Sequence, residues 1–218
     1  MSDIEKKLTP MGKAMAKRMT KSWEAPQFTL ETEVDCEALT AYRKRLPYKA
    51  SYTTILAKEV ADTLVGYPAL RSSWAEDHIV EHGDINLGIA VDTKRGLLVP
   101  VIFDAAGKTL EQVHADMEDI KAASVQGIYP MEKMQGGVFT ISNLGIFNIT
   151  SFKAIVSAPE SAILSVSKMV EKPVIKDGRI VAGKTMKLCI SIDHRVADGA
   201  TGARFMTELA QKLENLGK

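Results

Sequence analysis

Met186-Lys187-Leu188-Cys189-Ile190-Ser191-Ile192-Asp193-His194-Arg195-Val196-Ala197-Asp198-Gly199-Ala200 changes its period partway along. Met186, Leu188, Ile190 and Ile192 alternate with other residues, the period of a strand with one face in a core. Asp198 then stands where a helix N-cap belongs, ahead of Ala203, Met206, Leu209, Ala210 and Leu213 at helical spacing. A strand ending at Asp193 and a helix starting after Asp198 put an imidazole, flanked by ionic residues, in the turn between them. Imidazole is the side chain whose ordinary pKa lies near neutral pH, so His194 is the candidate for proton transfer.

Working back from that turn, Asp177-Gly178 predicts a hairpin between Val174-Ile175 and Ile180-Val181. Strands are expected at Ala162–Val170, Phe152–Val156 and Gly137–Ser142, with a loop over Asn143–Thr150. Thr109 and Gln112 form a capping-box pair opening a helix to about Val125. Leu97–Phe103 is an apolar run long enough only for a buried strand, and Pro100 inside it calls for an edge or a bulge. Before the Asp92–Gly96 turn come strands at Ile85–Val91, Ile79–His82 and Leu70–Trp74. Tyr52–Val65 reads as a buried helix stopped by Gly66 and Pro68, Asp35 caps a helix to about Leu46, and Gln27–Val34 alternates as a strand. Thr9-Pro10 opens the first helix, where Met11, Met15 and Met19 recur as a core or interface stripe. So many direct β–β steps exclude a Rossmann fold and a TIM barrel; the class is mixed α/β (α+β).

The 218 residues are 45% hydrophobic and 25% charged, enough to bury a core as one domain over 1–218 and too apolar for disorder. Twenty-eight Lys and Arg against 27 Asp and Glu leave a net charge of +1, which argues against nucleic acid as a partner. No apolar stretch approaches a bilayer span, and Met1–Lys7 is polar, so no membrane partner and a cytoplasmic location are expected. Cys36 and Cys189 give no disulfide framework and no metal pair. His78 and His82 straddle a hairpin and His114 lies on a helix, all three read as surface residues, so no metal is expected.

Ser191–Ala200 resembles the active-site signature of the dihydrolipoamide acyltransferase catalytic domain of 2-oxo acid dehydrogenase complexes. The HxxxDG core also occurs in chloramphenicol acetyltransferases and condensation domains; the extended form around His194 is narrower. Ala16–Met19, Gly88–Thr93, Gly96–Val101 and Gly136–Gly145 match in register, so the resemblance spans essentially the whole chain. It implies a chloramphenicol-acetyltransferase-like mixed sheet flanked by helices, in a homotrimer whose active sites lie between subunits. The implied reaction moves an acyl group, acetyl by default, between dihydrolipoamide and coenzyme A without a covalent acyl-enzyme. His194 is then the general base, Ser142 the oxyanion donor and Asp198 an organiser of the site, with Asn143 and Gly145 shaping the channel. Arg18 or Arg195 is expected to pair with Asp198, so that Asp198→Asn lowers both stability and turnover.

The implied partners are a lipoyl domain and the decarboxylase and dihydrolipoamide dehydrogenase components. Family chains usually carry lipoyl and peripheral-subunit-binding domains first; with eight residues before Thr9, neither is expected here and the lipoyl arm belongs elsewhere. Pro26-Gln27-Phe28 replaces a common Pro-His-Phe, a change expected to alter the substrate entrance. Glu214–Lys218 lacks the Pro- and Leu-rich tail that docks trimers, so a trimer without a large cage is expected. The other readings are a free-standing chloramphenicol-type O-acetyltransferase and a non-catalytic assembly module.

Overall fold

The computed structural model describes residues 3–94, 96–126 and 129–218; Met1, Ser2, Arg95, Gly127, Ile128 and the side chains of Met11 and Gln126 lie outside the described residues. Helix α1 (Pro10–Trp23) opens as the sequence predicts, with the Thr9 hydroxyl accepting from the Gly12 N–H at 3.1 Å. Strand β1 (Gln27–Asp35) and helices α2 (Glu37–Arg45) and α3 (Tyr52–Leu64) follow, then the hairpin β2 (Ser72–Ala75) and β3 (His78–Glu81). Next come β4 (Leu87–Thr93), β5 (Gly96–Leu98), β6 (Val101–Ile102) and α4 (Leu110–Gln126). The chain closes with β7 (Phe139–Asn143), β8 (Ala162–Lys176), β9 (Arg179–Asp193) and α5 (Gly199–Glu214). The α4 capping box forms in both directions: the Thr109 N–H donates to Gln112 Oε1 at 2.8 Å, and the Gln112 N–H to Thr109 Oγ1 at 3.3 Å.

The main sheet runs in the order β1-β9-β8-β7-β4-β5, with β6 also on β4. β1 and β8 flank β9 antiparallel, whereas β7 is parallel to both β8 and β4. Strands β8 and β9 form one hairpin of two 15-residue arms, longer than the separate strands the sequence suggests. Positive φ at Asp177 and Gly178 makes its tight turn.

The two faces of this sheet differ chemically. Leu164, Val166, Leu188, Ile190 and Ile192 enter the aliphatic core with residues of α3 and α5 such as Leu56, Val60, Phe205 and Leu209. The residues between them, Ser165, Cys189, Ser191 and Asp193, are just as buried on the opposite face. Buried polar groups need partners, and that requirement corrects one expectation. Phe152–Val156 is not a strand, because its neighbourhood bonds to side chains instead of a ladder. The Ala154 N–H donates to Ser165 Oγ (3.2 Å), that of Val156 to Gln27 Oε1 (2.9 Å) and that of Ala158 to Ser22 Oγ (3.0 Å).

A second correction concerns Leu97–Phe103. Pro100 interrupts the run, splitting it into β5 and β6, and leaves Leu97 48% and Phe103 39% exposed instead of buried. On α1, Met15 and Met19 are only half-buried and Trp23 is exposed, so the stripe is not a core seam of this chain.

Candidate active site

β9 delivers Asp193 and His194 to its C-terminal end, where the His194 N–H donates to the Pro26 carbonyl at 2.9 Å. The imidazole is exposed and leans on the Phe28 ring, with centroids 4.7 Å apart and planes tilted by 52°. Asp193 turns the other way and is buried. Arg195 closes on it as a fork, Nη2 to Oδ2 at 2.6 Å and Nε to Oδ1 at 3.0 Å, and its guanidinium lies 4.8 Å from the centre of the Trp74 ring. The Asp193 hydrogen bonds raise the Arg195 pKa further above its ordinary value.

Asp198 caps α5, its Oδ1 accepting from the Thr201 N–H at 2.7 Å. That bond, together with the Thr201 hydroxyl and the charges of Arg204 and His194, holds its carboxyl below the usual carboxylate range. The expected pairing of Asp198 with Arg18 or Arg195 is not made in the chain. Arg195 is taken by Asp193, and Arg18 donates to the Ala158 carbonyl (3.1 Å) and pairs with Glu160 (3.8 Å).

Ser142 lies near the end of β7, in register with Ser165 on β8, which is in register with Cys189 on β9. In-register neighbours point to the same side, so Ser142 belongs to the polar face. Asn143 fixes the turn after it: Nδ2 donates to Thr53 Oγ1 near the start of α3 (2.9 Å), and Oδ1 accepts from the Gly145 N–H (2.8 Å). A Cβ on Gly145 would sit 2.9 Å from the Ser167 carbonyl oxygen and 3.1 Å from Lys168 Cα, a clash with the backbone of β8.

The register separates the two principal candidates. His194 lies five residues beyond Cys189 along β9 and two strands away from Ser142, a Cα separation on the order of 19 Å. They stand at opposite ends of the sheet, His194 beside Phe28, whose partner Ile192 faces the aliphatic core, and Ser142 on the polar face. Within one chain they cannot act on the same atoms. In the loop after Ser142 large apolar side chains reach the surface: Ile146 is 84% and Phe147 53% exposed.

Sequence reasoning missed Glu160, which is 5% exposed and accepts from Thr140 Oγ1 at 2.6 Å. It forms the wall between a cavity of about 560 Å³, lined by Arg18, His82, Asn86 and Gly137, and one of about 180 Å³, lined by Trp74, Asp193 and Arg195. Burial pushes its carboxyl up to about 7 despite Thr140 and Arg18. The remaining histidines have structural partners. His78 is exposed beside Asp77, but His82 is half-buried and within 2.8 Å of Ser73 Oγ, and half-buried His114 stacks on Tyr48, which corrects the surface reading of both. Among the described residues no three His, Cys, Asp or Glu side chains gather as metal ligands, and no helix is long and apolar enough to cross a membrane.

Over residues 2–218 the chain matches the family described as 2-oxoacid dehydrogenases acyltransferase (catalytic domain). It is 36% identical, over 98% of its length and 52% of the relative's, to the dihydrolipoyllysine-residue acetyltransferase component of the Staphylococcus aureus pyruvate dehydrogenase complex. It is 35% identical, over 98% and 53%, to the lipoamide acyltransferase component of the Bacillus subtilis branched-chain alpha-keto acid dehydrogenase complex. The chain thus spans about half the length of the curated relatives it matches. Its fold superimposes with a TM-score of 0.91, at 34% identity over 98% of this chain and 92% of the other, on the dihydrolipoamide acetyltransferase of Azotobacter vinelandii, studied for the catalytic roles of one serine, one histidine and one asparagine. Chloramphenicol acetyltransferase shares the fold alone, with a TM-score of 0.62 and 16% identity over 93% of this chain and 94% of the other.

Proposed function

The chain belongs to the family of 2-oxoacid dehydrogenase acyltransferase catalytic domains, and on that premise we propose that it transfers an acyl group, acetyl by default, between dihydrolipoamide and coenzyme A. His194 takes the proton from the attacking thiol, and the thiolate adds to the thioester carbonyl. Ser142 donates a hydrogen bond to the oxyanion of the tetrahedral intermediate. Collapse expels the other sulfur, which recovers the proton from the His194 imidazolium. A thiol with an ordinary pKa near 8.5 is within reach of an imidazole base, so the step needs no metal. Asp198 caps α5 and so fixes the turn that presents His194.

The observation that carries this reading is an interval. In the Azotobacter vinelandii enzyme the studied serine and histidine are 52 residues apart, and the asparagine follows four residues after the histidine; Ser142, His194 and Asp198 repeat both intervals. Because Ser142 and His194 of one chain are so far apart, the site is assigned to the junction of two copies, His194 from one and Ser142 from the next, in a homotrimer. The exposed Ile146 and Phe147 beside Ser142 supply apolar surface for the neighbouring copy to cover. The lipoyl group arrives as substrate on a lipoyl domain, with the decarboxylase and dihydrolipoamide dehydrogenase as the other components of the system.

Transacetylation between acetyl-coenzyme A and free dihydrolipoamide tests the assignment. Turnover that His194→Ala abolishes supports it. Acetylation of chloramphenicol in place of dihydrolipoamide would instead indicate a free-standing O-acetyltransferase, and full turnover in His194→Ala would remove His194 as the base.

A further inference from the structure

The geometry points to Phe28 as a positioning residue for His194, holding the imidazole in the one orientation from which it accepts the thiol proton. The inference rests on the reading of His194 as the base. Among the described residues the imidazole makes no hydrogen bond to another side chain, and the carboxylate coupled to it through charge, Asp198, bonds to the Thr201 N–H instead. The Phe28 ring holds the imidazole by contact, at 4.7 Å and 52°, inside the range where aromatic pairs attract.

Phe28 is itself held between two elements. It pairs with Ile192 across β1 and β9, and a Cβ on Gly199, the first residue of α5, would come within 3.9 Å of its ring. The residue before it is anchored by its side chain: Gln27 Nε2 donates to the Ser22 carbonyl at the end of α1 (2.7 Å), and Oε1 accepts from the Val156 N–H. The residue before that, Pro26, accepts the His194 N–H. The start of β1 and the residue before it therefore grip His194 twice, by its backbone through Pro26 and by its ring through Phe28, with Gln27 locking the grip to α1 and the 151–158 segment.

Such a support acts on turnover more than on binding. A base on a loop that samples several rotamers is correctly placed only part of the time, and a fixed ring removes that loss. The contact also strengthens as the imidazole gains charge, because the π system of Phe28 attracts a cation more than a neutral ring. Substrate binding needs neither effect.

Phe28→Leu keeps much of the volume and removes the ring, whereas Phe28→Tyr keeps the ring. In the transacetylation assay Phe28→Leu is expected to lose about ten-fold in kcat with both KM values changed less than about two-fold, and Phe28→Tyr to retain most of the wild-type kcat. In the unaltered protein with 13C-labelled histidine, nuclear Overhauser contacts are expected between the His194 and Phe28 ring protons, a readout independent of how any variant folds. Wild-type kcat in Phe28→Leu, an equal loss in Phe28→Tyr, or no contact between the rings overturns the inference. His194→Ala run alongside separates the two levels: if it is inactive while Phe28→Leu matches the wild type, only the role of Phe28 fails; if it stays active, the reading of His194 fails as well.

Discussion

Arg195 closes on Asp193 through both of its carboxylate oxygens and leaves Asp198, three residues further on, to the N–H of Thr201. This division of labour replaces the expected pairing of Asp198 with an arginine. It also changes what substitutions at these positions should do.

Asp198 acts locally as an N-cap, and Asn caps as well as Asp. The expected outcome for Asp198→Asn is therefore stability within about 0.5 kcal/mol of the wild type and retained turnover, in line with an asparagine at the matching interval in the Azotobacter vinelandii enzyme. Asp198→Ala removes the cap and is expected to cost about 1 kcal/mol. Urea melts and the transacetylation rate of both variants check this, and a collapse of turnover in Asp198→Asn would reinstate an ionic role.

Arg195→Ala removes the partner of a buried carboxylate, and breaking such a pair is costly because the remaining charge stays buried. With the arginine itself about one-third exposed, the expected loss is about 2 kcal/mol, read from the same melts.

Glu160 predicts a specific pH dependence. Its carboxyl is raised to about 7 in the folded chain against an ordinary 4.5, so between these values the folded state binds more protons than the unfolded one. Stability from this group is therefore greatest below about 4.5 and falls as pH rises through 7. Glu160→Gln keeps an acceptor for Thr140 without the buried charge. It is expected to raise stability at pH 8 by about 1–3 kcal/mol and to change it little at pH 5. Thermal melts at the two pH values decide, and equal shifts at both would show that the charge is not the cause.

Gly145→Ala forces a Cβ against the Ser167 carbonyl and the Lys168 Cα, which belong to β8 and cannot swing aside as a side chain can. The turn must shift, taking Asn143 and with it Ser142. An overpacked site of this kind costs about 1–3 kcal/mol, and a misplaced oxyanion donor costs on the order of a hundred-fold in kcat. Steady-state kinetics with a melting curve would separate the two, and an unchanged kcat would detach the turn from the site.

How far these features were legible in the sequence depends on whether the signal was local. Asp198 as a cap, the Thr109/Gln112 box, the Asp177-Gly178 turn and His194 at a strand end are all set by neighbours within a few residues. Phe152–Val156 misled because its backbone N–H groups bond to the side chains of Ser165 and Gln27, partners chosen by the fold. Leu97–Phe103 misled because Pro100 moves the chain from one pairing to another. The expected pairing of Asp198 with Arg18 or Arg195 had the same root, since Asp193 is two residues from Arg195 and Asp198 three, and only burial shows which carboxylate needs the cation more. Glu160 had no signature and Phe28 stood out only within Pro26-Gln27-Phe28, as each acquires its meaning from a residue at least 20 positions away.

The central claim is that His194 and Ser142 of different copies complete one site. Co-refolding equal amounts of His194→Ala and Ser142→Ala chains tests it most directly. If the site is shared in a homotrimer, randomly mixed copies place an intact His194 beside an intact Ser142 at about a quarter of the junctions, so two inactive proteins should recover about a quarter of wild-type transacetylation. No recovery from a mixture shown to have exchanged subunits would contradict the account.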